Sequence, residues 1–111
     1  MTKCMIIKGP FLRAMNYKSG KWKSKREKIL RRDKYQCQHY RRYGKYVQAN
    51  TVHHILPCEI YPEYEWEDWN LIALSGDAHN KMHDRETHEL TKLGKEYARR
   101  TAWKHGVEIR W

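Results

Sequence analysis

Four histidines stand where imidazole chemistry can converge: His53 beside His54, and His79 four residues before His83. Successive residues of a strand face opposite sides, so a regular strand through His53 and His54 sends them apart. Positions i and i+4 of a helix share one face, which would stack His79 and His83 one turn apart. A strand end and a helix can then aim three imidazoles at one point, and His53, His79 and His83 form that set for one divalent ion. His54 is left outside it. An uncoordinated imidazole beside a metal-bound phosphate suits general-base work on water, because its ordinary pKa lies near working pH. The open coordination positions would take oxygens of a substrate, whose developing charge the ion stabilises.

The flanking sequence supplies the elements such a site needs. Tyr46-Val47 and Thr51-Val52 are β-favouring pieces that predict a hairpin, with strand character running through Ile55 and ending before Pro57. The apolar run Leu71-Ile72-Ala73-Leu74, opened by Asn70 and closed by Ser75-Gly76-Asp77, predicts a second strand. Asp77 reads as the N-cap of a helix over 78–85. Upstream, Trp22, Ile29 and Leu30 predict a short basic helix over 22–33, started either by a Ser24/Glu27 capping box or a turn earlier by Ser19. A last helical pattern covers 91–104 and stops at Gly106, while the acidic and aromatic stretch 59–68 reads as a loop or short helix.

The chain has 111 residues, 40% of them hydrophobic, which fits one small core rather than two domains. No run approaches the roughly 18 apolar residues of a membrane span, and the first residues lack the pattern of a cleaved leader, so the expectation is a soluble cytoplasmic protein without a membrane partner. Cys4, Cys37 and Cys58 are too few and too scattered for a disulfide framework. The net charge is +10, and it is uneven: residues 1–50 carry 15 Lys and Arg against two acidic groups, residues 51–111 eight against eleven. A polyanion rewards such a footprint, because each phosphate neutralised releases counterions. Arg26, Arg31, Arg32, Arg41 and Arg42 are candidate DNA-backbone contacts, with Lys81 and Arg85 beside the metal helix as candidate grips on the substrate phosphate. His39, His88 and His105 read as structural or solvent-facing.

Three blocks, Val52-His53-His54-Ile55-Leu56-Pro57, Trp69-Asn70-Leu71-Ile72-Ala73-Leu74 and His79-Asn80-Lys81-Met82-His83, resemble the HNH endonucleases in order and spacing, most nearly the small phage and prophage members. The resemblance spans roughly 18–101. It implies an α+β fold: a small single domain on a ββα-metal motif with flanking helices. It also implies His54 as general base, His53, His79 and His83 as ligands, and Asn70 as the residue that holds the inter-strand loop and so orients the base. Asn80 is the alternative to His79. The larger zinc-bearing branch clamps a structural zinc with two C-x-x-C pairs, and here those positions hold Cys37, Tyr40, Ser75 and Ala78. Four-ligand zinc does not fit them, and packing around Tyr40 is expected to replace the clamp.

The sequence thus divides into an arm (1–20), a nuclease domain (21–105) and a tail (106–111). The expected activity is metal-dependent hydrolysis of DNA phosphodiester bonds, by nicking or double-strand cleavage, with Mg, Mn, Ni or Zn. By analogy with phage members, packaging proteins such as a terminase are expected partners, and the bacterial host cytoplasm the location. Two rival classes remain: a non-catalytic DNA-binding module with a structural metal site, and a nuclease active only with a protein partner.

Overall fold

Ser19 opens the first element. Its side chain accepts the Trp22 N–H at 3.1 Å, and helix α1 runs Gly20–Arg32 in the computed structural model, which describes residues 18–111. The earlier of the two predicted starts is therefore the observed one; the arm assigned to 1–20 lies outside the described residues up to residue 17. A short helix, α2 (Gln38–Arg41), follows. The chain then forms β1 (Thr51–His54), two 3-10 turns at Pro62–Tyr64 and Asp68–Asn70, β2 (Leu71–Leu74), α3 (Gly76–Met82) and α4 (Lys92–Lys104). The expected hairpin before β1 reduces to an isolated bridge between Gln36 and Gln48.

β1 and β2 pair antiparallel, with Val52 opposite Ala73, His53 opposite Ile72 and His54 opposite Leu71. Pleating divides the two-stranded sheet between two cores. Val52, Leu71 and Ala73 pack with Trp22, Ile29 and Leu30 of α1. The other core joins Leu74, Ile55 and Leu56 to Ala78 and Met82 of α3 and Tyr97, Ala98 and Ala102 of α4. The free edge of β2 is closed by side chains: Arg32 donates to the Leu71 carbonyl at 2.7 Å, and Asp33 accepts the Ala73 N–H at 3.0 Å. This pair takes the place of a third strand and blunts an edge that would otherwise invite pairing.

Two expectations about α3 need correction. Its N-cap is Ser75, whose hydroxyl accepts the Ala78 N–H at 3.1 Å, and not Asp77. The helix also ends at Met82 instead of running to 85, because α4 meets it end to end. Thr91 donates to the Met82 carbonyl from its N–H (2.9 Å) and to the Lys81 carbonyl from its hydroxyl (2.7 Å). Gly94 lies so near that a Cβ there would stand 2.4 Å from the Met82 carbonyl oxygen, which no side chain tolerates without displacing backbone. His83 is consequently extended (φ −126°, ψ 145°) and bridges Leu90. Cys37 is a buried free thiol, while Cys58 is disulfide-bonded, against the expectation that the scattered cysteines form no disulfide framework.

Candidate active site

His53 projects from β1 toward α3. Its imidazole centroid lies 5.2 Å from that of His79 and 5.1 Å from that of His83, and the latter two are 5.2 Å apart. One ligand nitrogen from each falls within 4.8 Å of the others, the single such group among the described residues. His79 arrives from α3. His83, although outside the helix, arrives because its bridge to Leu90 turns the chain back at that point.

The donor atoms fit a cation. His53 is 1% exposed, and neither of its ring nitrogens has a hydrogen-bond partner among the described residues. Burying such groups unpaired is costly, so a Lewis acid is the partner this arrangement lacks. Burial first, then the neighbouring imidazoles, holds the His53 pKa well below its ordinary value, which keeps the lone pairs available. His83 is lowered too, chiefly by burial. The loop after α3 orients it: His88 adopts a left-handed backbone (φ 64°) and presents its carbonyl 3.1 Å from His83 Nδ1. A carbonyl only accepts, so Nδ1 carries the proton and Nε2, which has no hydrogen-bond partner among the described residues, is the nitrogen available to a cation.

His54 leaves β1 on the opposite face. Its ring stacks on Trp22 of α1 (centroids 5.5 Å apart, planes at 19°), and Trp66 closes against Trp22 edge-on. Nε2 lies 3.0 Å from the Glu65 carbonyl, so Nε2–H donates and the basic lone pair belongs to Nδ1. Burial lowers the His54 pKa to about 4, against the opposing effect of that bond, and the ring is neutral at pH 7.

Asn70, fully buried, ties the connection between the strands. Oδ1 accepts the Leu56 N–H at 2.7 Å, and Nδ2 donates to the carbonyls of Leu56 and Tyr64, each at 3.1 Å. Both ends of the segment bearing Glu65 are thereby held. Asn80 is exposed and outside the three-histidine group.

No protein-family model matches the chain, and no curated protein matches it. It is similar to the HNH endonuclease of the deep-sea thermophilic bacteriophage GVE2, whose crystal structure contains manganese ion. The two are 33% identical over 58% of this chain and 70% of that one, with a TM-score of 0.56. The chain belongs to the HNH endonuclease family. Its small α+β fold and its three-histidine group, able to hold one divalent metal, agree with that membership.

The four residues compared above with the zinc-bearing branch take part in other interactions. Cys37 and Ala78 are fully buried in one core, and the Ser75 hydroxyl caps α3. The Tyr40 hydroxyl donates to Asp77 and accepts from Lys81 at 2.9 Å, so α2 is fastened to α3 by side chains. The predicted phosphate contacts are scattered, and most donors are already engaged. Arg26 donates to the Asn50 carbonyl at 2.7 Å, Arg31 faces Glu27 at 3.5 Å, and Arg32 binds Asp33 and the carbonyls of Asp68 and Leu71. Lys81 is taken by Tyr40 and Asp77, whereas Arg85, Arg41 and Arg42 are exposed with no ion pair among the described residues. His105 stacks on Trp69 at 4.1 Å, and His39 meets the Tyr97 hydroxyl at 2.9 Å, both structural as expected.

Sequence reasoning missed Trp22 as a neighbour of His54 and the carbonyls of Glu65 and His88 as orienting groups. Trp22 was legible only as a core position of a helix. The two carbonyls leave no mark in side-chain identity.

Proposed function

We propose that this HNH protein hydrolyses DNA phosphodiester bonds, with His54 as general base and His53, His79 and His83 as the residues that would hold one divalent cation. The observation that carries the reading is the division of labour on β1: three imidazoles converging on one face, and one oriented imidazole on the other. When bound, the cation would supply Lewis-acid stabilisation of the phosphate and of the leaving 3′ oxygen. His54, held in its Nε2–H tautomer by Glu65, would take the proton of the attacking water at Nδ1, itself buried in this structure, as the new P–O bond forms and the bond to O3′ breaks. Trp22 holds the ring plane, and Asn70 holds the segment from which the Glu65 carbonyl reaches it. A phage setting, with packaging proteins such as a terminase as partners and the host cytoplasm as location, has its support in the bacteriophage origin of the similar endonuclease. Among the described residues no helix is long and apolar enough to cross a membrane.

The test is plasmid cleavage by purified protein with EDTA, Mg, Mn, Ni or Zn, with His54→Ala in parallel. Metal-dependent nicking or linearisation that disappears in the variant is expected. Full activity of His54→Ala would contradict the assignment, and salt-sensitive DNA binding without cleavage in any metal would favour a non-catalytic module.

A further inference from the structure

We propose that the loop 41–46, and not the basic helix α1, is the main DNA-contacting element of this chain. The proposal rests on DNA as the substrate. Folding itself decides which positive charges remain available to meet it.

Most cations of α1 are held by contacts within the chain, although only Lys25, Lys28, Arg31 and Arg32 meet a carboxylate, and exposed Lys23 has no ion pair among the described residues. Lys25 and Lys28 close on the two carboxylate oxygens of Asp68 at 2.5 and 2.9 Å. Arg26 and Arg32 are directed at main-chain carbonyls, Arg31 pairs with Glu27, and Lys21 lies over the Trp66 ring at 4.1 Å. A phosphate approaching α1 competes with contacts that also hold the helix against the sheet and the 3-10 turn at Asp68–Asn70.

Residues 41–46 read Arg-Arg-Tyr-Gly-Lys-Tyr, and all six are exposed. Among the described residues Arg41, Arg42 and Lys45 have no ion pair. Arg41 makes one long bond to Gln38 (3.4 Å) and Arg42 lies over the Tyr97 ring at 5.0 Å, neither of which neutralises charge. Tyr43 and Tyr46 are 64% and 71% exposed, Tyr43 touching only the edge of His39 (centroids 5.4 Å apart), whereas the other tyrosines among the described residues are mostly covered. Cations interleaved with exposed rings match a DNA strand: guanidinium and ammonium groups meet phosphates, and flat amphipathic rings lie against sugars and base edges.

The loop is also built to hold its shape. The Gly44 N–H donates to the Arg41 carbonyl at 3.0 Å, the Lys45 N–H to the Tyr40 carbonyl at 3.0 Å, and Gly44 supplies the left-handed conformation of the turn (φ 74°). At its base, Tyr40 is fastened to Asp77 and Lys81, which flank His79 on α3, and His39 is fastened to Tyr97 of α4. DNA held by the loop is therefore registered to the helix that delivers His79.

The experiment measures binding of a short fluorescein-labelled duplex by the full chain carrying His54→Ala, as a function of salt, so that cleavage plays no part. Into that background go Arg41→Gln/Arg42→Gln/Lys45→Gln, Tyr43→Ala/Tyr46→Ala, and Lys25→Gln/Lys28→Gln. Each phosphate that the protein no longer neutralises lowers the slope of log affinity against log salt by about 0.9. The loop triple variant is expected to drop by about 2–3 in slope and about ten- to hundredfold in affinity at moderate salt. The tyrosine pair should weaken binding several-fold at nearly constant slope, and the α1 pair should change the slope by less than about 0.5. Unchanged binding in the triple variant, a larger effect in the α1 variant, or no salt-dependent DNA binding in the parent would each overturn the proposal. Equal Mn²⁺ affinity across the set shows that folding is intact. Failure of the nuclease reading is seen separately, as absent plasmid cleavage by the chain with its native His54.

Discussion

His53 and His54 are neighbours in the chain, identical in chemistry and both buried, yet the sheet gives them opposite surroundings. On the α3 face, His53 meets two more imidazoles and no hydrogen-bond partner among the described residues. On the α1 face, His54 meets an indole and a carbonyl that fix its plane and tautomer. Strand alternation separates the proposed metal ligand from the proposed base, and what packs on each face completes their surroundings. A His-His pair is therefore not one motif but two half-sites, each completed by a different helix.

Substitution of the second histidine separates the half-sites most widely. His54→Ala is expected to lower the cleavage rate by about a hundred- to ten-thousandfold while Mn²⁺ affinity, read by isothermal titration, stays as in the parent chain. His53→Ala should do the reverse at the level of cause, lowering Mn²⁺ affinity by about a hundredfold or more and abolishing cleavage only as a result, so that raised Mn²⁺ restores part of it. Asn70→Ala tests whether the base side depends on the segment bearing Glu65. Leaving the Leu56 and Tyr64 groups unpaired should cost about 1–3 kcal/mol in chemical denaturation, with a fall in kcat and little change in metal affinity. The smallest effect is expected at the stack: Trp22→Leu should lower kcat about tenfold at constant metal affinity, with most of the activity restored in Trp22→Phe, whose ring keeps a flat face toward His54.

Much of this architecture was legible in the sequence. The apolar run Leu71 to Leu74 marked β2, Thr51-Val52 marked β1, which ends at His54, one residue short of the expected Ile55, and the spacing of Trp22, Ile29 and Leu30 marked the buried side of α1. Local signals fixed these elements because period and breaker act over a few residues. The end of α3 was not legible, since it is set by Gly94 and Thr91 of a different helix pressing on the carbonyls of Met82 and Lys81. His83 reaches the cluster despite leaving the helical spacing that nominated it. The orienting carbonyls of Glu65 and His88 were invisible because any residue type supplies one. Counting charges gives the amount of the basic footprint but not its availability: Lys25 and Lys28 contribute to the sum, but Asp68, far along the chain, pairs with both on folding and offsets one of the two charges.

Whether β1 carries a ligand on one face and a base on the other is decided by thermal unfolding of the parent chain, His53→Ala and His54→Ala with and without Mn²⁺, each also assayed for cleavage. A ligand bound only by the native state stabilises it by about 2.7 kcal/mol at a hundred times its Kd. The Mn²⁺-induced rise in Tm is expected to survive in His54→Ala, which does not cleave, and to vanish in His53→Ala. Absence of the rise in His54→Ala, or its persistence in His53→Ala, would contradict the division between the two faces.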